Sequence, residues 1–303
     1  MRQGFGIALG GGGARGWCHI GVLKELERAG HAPAGAAGCS MGALVGAIWA
    51  AGKLDALEAW ARALTRTQLL KYIDLALGQG GLVAGGAVLR LFDELDLPAR
   101  LEDLPKPFAV VATDMATGRE VWFIEGDLRD AVRASVAIPG VFRPHEVDGR
   151  WLLDGGLTNP IPISPVRALG FRTVLAVNPN ARGAEPLWTP PEPGAGLWAQ
   201  LAAPALVTRL PEPLRGVFTP QTEEAPAPDY LQVISAAIDM LTGYLAATRT
   251  AADPPDVLLE AVLGDLGILE LDRAAESIEA GRKLVEENIA LIERVLGQNS
   301  HNT

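Results

Sequence analysis

Short apolar runs broken by glycine clusters set the rhythm of the N-terminal part of the chain. Phe5–Leu9 is apolar throughout and bounded by glycines, a pattern that predicts a buried strand. Gly10–Gly16 follows as a glycine-rich turn, and Ile20, Leu23 and Leu26 then recur at helical spacing until Gly30 stops them. A second apolar run, about Ala34–Cys39, leads through Ser40 into MGALVGAIWAAG, which predicts another strand and helix. Strand–helix–strand–helix in units this short implies parallel strands joined by right-handed crossovers. Further strands are predicted at Phe108–Ala112, Val121–Ile124, Trp151–Leu153 and Thr173–Val177, and residues 54–97 read as amphipathic helix. Within them Leu69, Leu70, Ile73, Leu75, Leu77, Leu82 and Val83 form an apolar stretch, suited to packing on the sheet or to walling an apolar cleft.

Ten of the 22 prolines fall within residues 184–228, which therefore cannot be one regular element. Helix, strand and helix return at about 230–251, 256–260 and 272–297. The organisation expected is a three-layer α/β/α sandwich with a mainly parallel sheet. Residues 1–180 form its core, 181–229 a proline-rich excursion or flap, and 230–303 complete the same domain.

Composition narrows the function. At 303 residues, 49% hydrophobic and 20% charged, the chain can bury a substantial core and is not a disordered polymer. A net charge of −10 argues against sequence-independent nucleic-acid binding, which relies on cations neutralising phosphates. Two cysteines, Cys18 and Cys39, without metal-ligand spacing or a paired framework, fit a reducing compartment. Residues 34–52 carry no charge, but glycines interrupt them and a buried strand, turn and helix explain them better than a membrane span. The N-terminus lacks the pattern of a secretory signal, so a cytoplasmic location is expected.

Two motifs carry candidate chemistry. Gly11-Gly12-Gly13-Ala14-Arg15-Gly16 satisfies G-x-G-x-x-G between a strand and a helix. A dinucleotide site would also want an acid at the end of the second strand. That strand ends instead in Gly38-Cys39-Ser40-Met41-Gly42, a G-x-S-x-G at a strand-to-helix junction. There the small flanking residues allow a sharp turn that projects the Ser40 hydroxyl, and the helix start favours developing negative charge. Acyl transfer passes through an oxyanion that needs fixed N–H donors beside the nucleophile. The glycine loop, Gly11, Gly12 and Gly13, can present them, with Gly12 and Gly13 the foremost candidates.

A base is still required. The histidines are His19, His31, His145 and His301, and a Ser–acid–His order is poorly served by them. His19, on the helix after the glycine turn, reads as a packed or capping histidine. Asp154, where an apolar strand ends in Asp-Gly-Gly, offers another solution. If the strand ends of a parallel sheet lie together, its carboxylate reaches Ser40 directly, and poor solvation would raise its pKa toward a useful base.

These residues resemble the patatin-like phospholipase family, over roughly residues 5–180 and more weakly through Asp256–Arg282. The resemblance rests on Gly11–Gly16, Gly38–Gly42 and Asp154-Gly155-Gly156 in order, with Ala134-Ser135-Val136-Ala137-Ile138-Pro139 as a further matching segment. It implies a Ser–Asp dyad of Ser40 and Asp154 acting on carboxylic ester bonds of lipids, with no metal or organic cofactor. A lipid or other acyl-ester substrate and transient contact with a membrane surface follow as partners, and nucleic acid does not. Arg15 is expected to steady the glycine loop, Asp114 to be structural, and Cys39 to face away from the site. An acyltransferase, or a non-catalytic lipid- or protein-binding regulator keeping the fold, is compatible with the same residues.

Overall fold

Alternate residues along the strands decide which helices cover which face of the sheet. The structure, a computed structural model, describes residues 2–65, 86–183, 228 and 230–300. Its strands are β1 Phe5–Leu9, β2 Gly35–Cys39, β3 Phe108–Asp114, β4 Glu120–Phe123, β5 His145–Val147, β6 Arg150–Asp154, β7 Thr173–Ala181 and β8 Val257–Val262. The helices are α1 Cys18–Arg28, α2 Met41–Ala50, α3 Leu54–Ala63, α4 Gly86–Glu94, α5 Leu128–Ser135, α6 Ile163–Ala168, α7 Tyr230–Ala252 and α8 Ala274–Ser300. On one face Ile7, Leu9, Ala36, Val110, Leu175 and Val177 join a large core with α1, α2, α3 and α8. On the other, Ala8, Ala37, Ala109, Val174 and Ala176 pack with Ile163 and Val166 of α6 and Ala246 of α7. The small residues let this second layer sit close to the sheet. Helices on both faces of a mostly parallel sheet make the three-layer α/β/α architecture.

The chain divides into a larger compact unit, Met1–Gly183 with Leu241–Thr303, and a smaller one, Ala184–Met240. In the smaller unit the described residues are Pro228 and the first part of α7. The apolar stretch at 69–83 and the proline-rich 184–227 lie outside the described residues. No described helix is long and apolar enough to cross a membrane.

Parallel pairing joins β3–β2–β1–β7–β8, as the short crossovers require. The remaining strands depart from that pattern, because β4 and β6 pair antiparallel with β3, and β5 antiparallel with β6. β2 meets β3 up to Cys39↔Val111, and β6 takes over at the next residue, Asp154↔Ala112. Since β4 occupies Val110–Thr113 on the opposite edge, β2 and β6 share one edge of β3 and meet end to end. The expectation that Asp154 would stand among parallel strand ends is corrected here. It arrives head-on, from an antiparallel strand.

Candidate active site

Ser40 sits in the gap where those two strands meet. It links β2 to α2 with φ 53° and ψ −123°, a left-handed conformation that a non-glycine residue holds only when its surroundings enforce it. The enforcement is visible. A side chain on Gly42 would collide with the Leu9 carbonyl, and one on Gly38 would lie 2.6 Å from the Ala43 nitrogen. The elbow can therefore close only with glycine at both positions. The Ser40 carbonyl starts α2 by accepting from Ala43 and Leu44 N–H at 2.9 and 3.1 Å. Its own N–H donates to Ser135 Oγ at 2.8 Å, and Ser135 Oγ donates to the Val111 carbonyl at 2.6 Å. The α5 end thus pins the elbow to β3.

Asp154 is buried, with 6% of its surface exposed, and Ser40 has 5%. Ser40 Oγ donates to Asp154 Oδ2 at 2.6 Å, while Gly156 N–H donates to Oδ1 at 2.8 Å. Burial pushes the Asp154 carboxyl up to about 6, outweighing the hydrogen bonds from Ser40 and Gly156 that favour the charged form. The Asp154 backbone is fixed as well: its N–H donates to the Ala137 carbonyl at 3.0 Å and its carbonyl accepts from Thr113 Oγ1 at 2.9 Å. The segment Ala134–Pro139 consequently holds both members of the pair, Ser40 through Ser135 and Asp154 through Ala137. A strained serine donating to a desolvated carboxylate is an arrangement able to generate an alkoxide-like nucleophile.

The glycine loop runs alongside. A Cβ on Gly11 would lie 3.3 Å from Ser40 Cβ and equally near Cys39 Sγ, a contact tight enough that the neighbours would have to shift by a few tenths of an ångström. Gly11 is nevertheless unsuited to donate to an oxyanion, because its N–H already donates to the Pro160 carbonyl at 2.9 Å. That correction reflects strand geometry: Gly10 and Gly11 continue the pairing of β1, with Gly10 N–H donating to the Val177 carbonyl at 3.0 Å. The N–H groups of Gly12 and Gly13 have no acceptor among the described residues. Gly13 has φ 54°, and a side chain there would collide with the Ile268 carbonyl. Arg15 steadies the loop indirectly. It donates to the Leu266 carbonyl at 2.8 Å and to Asn180 Oδ1 at 3.1 Å, and Asn180 Nδ2 donates to the Gly11 carbonyl at 2.7 Å. A side chain on Gly16 would run into Met41, the residue after Ser40.

The histidines stand elsewhere. Fully buried His19 donates from Nε2 to the Gly10 carbonyl at 2.7 Å, and burial lowers its pKa to about 4, so it is neutral packing beneath the loop. His145 is 2.8 Å from Asp130, His31 is 3.7 Å from Glu293, and His301 is outside the described residues. Asp114 caps a turn, accepting from Ala116 and Thr117 N–H at 2.9 Å. Cys39 does not face away as expected: its Sγ lies 4.0 Å from Asp154 Oδ1, because the chain reverses at Ser40 and both residues border the carboxylate. Burial first, and the Asp154 charge second, push its thiol well above the ordinary value, which keeps it protonated. Ser135 lies in the Ala134–Pro139 segment, which the sequence marks without giving it a role, and the sequence does not single out Asn180; both support the site.

Comparison with known proteins shows which family the chain resembles. The family model described as patatin-like phospholipase matches residues 7–167. An uncharacterised NTE family protein of Mycobacterium tuberculosis is 34% identical over 329 residues, covering 95% of this chain and 91% of its own length. Mouse patatin-like phospholipase domain-containing protein 6 is 33% identical over 199 residues, which are 63% of this chain and 15% of that protein. The crystal structure of VipD from Legionella pneumophila overlaps 51% of this chain and 46% of its own at TM-score 0.34 and 16% identity, too slight a likeness to argue from.

Proposed function

This chain belongs to the patatin-like phospholipase family, and we propose that it is a serine acyl hydrolase cleaving carboxylic ester bonds of lipids through Ser40 and Asp154. The family supports a lipid-hydrolase kind of activity. The observation that carries the finer reading is the 2.6 Å hydrogen bond from Ser40 Oγ to Asp154 Oδ2, made by a strained serine to a buried carboxylate.

In this reading Asp154 Oδ2 takes the hydroxyl proton as Ser40 Oγ attacks the ester carbonyl. The tetrahedral oxyanion is held by the N–H groups of Gly12 and Gly13, each such donor being worth roughly 10²–10³ in rate. Collapse breaks the carbonyl–oxygen bond to the alcohol, which leaves with the proton from Asp154, and the acyl group stays on Ser40. Asp154 then deprotonates a water that attacks the acyl-serine, releasing the fatty acid and restoring Ser40. Gly11 keeps a structural part, anchoring the loop through Pro160 and Asn180. Reaching such esters entails transient contact with a lipid surface.

A fluorophosphonate probe tests the reading. The wild-type protein should carry one adduct, mapped by peptide mass spectrometry to Ser40. Ser40→Ala should lose both the adduct and the hydrolysis of a lipid-ester panel, by about 10³-fold or more. A folded wild type that neither labels nor hydrolyses any ester would mark a non-catalytic lipid- or protein-binding protein instead.

A further inference from the structure

A cavity of about 440 Å³ lies beside the pair and is used by none of the steps above. It belongs wholly to the larger unit, bounded by Gly11 after β1, Pro160 and Ile161, the C-terminal end of β7, Leu258 and Glu260 of β8, and residues 242–251 of α7. Its volume falls within the roughly 300–1,000 Å³ typical of small-molecule sites.

Two of the residues that line it adjoin the site. Gly11 lines it, and Gly11 is the residue whose missing side chain leaves Ser40 Cβ 3.3 Å from where a Cβ would stand. Thr242 lines it too, and Thr242 Cγ2 is 3.9 Å from the equivalent point on Gly156, whose N–H holds Asp154. The cavity thus lies one residue away from Ser40 on the Gly11 side and one residue away from Gly156 on the Thr242 side.

The wall chemistry selects which arm. Pro160, Ile161, Ala181 and Ala246 are buried and apolar. Of the polar lining groups, Asn180 is already engaged at both ends of its amide, by Gly11 and Arg15. The charged lining residues, Arg182 and Glu260, are exposed. The other polar lining residues, Asn178, Thr242, Tyr244 and Thr250, are half-buried or exposed, so the buried part of the wall carries no polar side chain and rewards hydrocarbon.

We propose that this cavity receives the acyl chain of the ester, so that α7 between Thr242 and Ala251 sets chain-length preference. The proposal rests on the hydrolase reading. Ala247 and Ala251 line the cavity at exposed positions, where a larger side chain can intrude without displacing the core.

The test compares kcat/KM for p-nitrophenyl butyrate and p-nitrophenyl dodecanoate in wild type, Ala247→Trp and Ala251→Trp. The dodecanoate-to-butyrate ratio should fall at least tenfold in one or both variants. A ratio within twofold of wild type in both, with Ser40 still labelled by the fluorophosphonate, would overturn the cavity's role and leave the hydrolase reading intact. A second measurement uses the wild type alone: an alkyl fluorophosphonate with a diazirine at the chain end is attached to Ser40 and irradiated. Crosslinks to residues 242–251 or to Ile161 support the proposal, and crosslinks confined elsewhere refute it. A wild type that takes no label and hydrolyses neither ester overturns the hydrolase reading, and this proposal with it.

Discussion

Burial that pushes the Asp154 carboxyl up to about 6 acts on catalysis and stability in opposite directions. As the proposed base, Asp154 must be ionised, so kcat/KM should rise with pH through an inflection near 6 and then level off. No histidine ionisation should appear in the profile, since the described histidines are engaged away from Ser40. For stability, the native pKa lies above the value near 4 of an unfolded chain. The contribution is therefore fully present below pH 4 and is lost as pH rises through about 6. Two units correspond to about 3 kcal/mol. Asp154→Asn should thus be inactive yet more stable than wild type at pH 8, by on the order of 1–3 kcal/mol. That gain should shrink toward zero below pH 4, and urea titrations at the two pH values would check it. Ser40 and Asp154 were legible in the sequence because glycines must flank such turns whatever the rest of the chain does. The engagement of Gly11 by Pro160, and of Ser40 by Ser135, was not, because those partners are 149 and 95 positions away and no local pattern encodes them.

Helices α1 and α8 show the same dependence on remote partners at the scale of elements. A side chain on Gly21 would collide with the Ile278 carbonyl, and one on Gly281 with the Cys18 carbonyl, so the two helices cross with backbone touching backbone. Gly281→Ala should push them apart and cost about 1–3 kcal/mol, seen as a lower urea midpoint. The double variant with Gly21→Ala should cost less than the sum, because one displacement relieves both clashes. Strands with continuous apolar runs, such as β1 and β7, were readable from their pattern alone. Helices α5 and α6 were not, being only 8 and 6 residues long. Pro165 looks like a breaker in α6, yet it falls in the first turn, where a missing N–H leaves no intrahelical bond unmade. The reversed direction of β6 was also invisible, since a short apolar strand reads the same either way.

Across the whole molecule, residues from widely separated parts of the chain converge on one strand. β3 carries β2 and β6 end to end on one edge and β4 on the other, and its Val111 carbonyl accepts from the serine that pins the elbow. A strand slipped by one residue moves about 3.3 Å and turns its side chains to the opposite face. Either slip, in β2 or in β6, would carry Ser40 or Asp154 out of hydrogen-bonding range while leaving helix content and most of the core unchanged. In the proposed hydrolase, turnover would thus be a gauge of sheet alignment. Refolded protein that recovers its far-ultraviolet circular dichroism without esterase activity should show altered amide exchange at Val111 and Ala112, the two rungs on which the alignment is read.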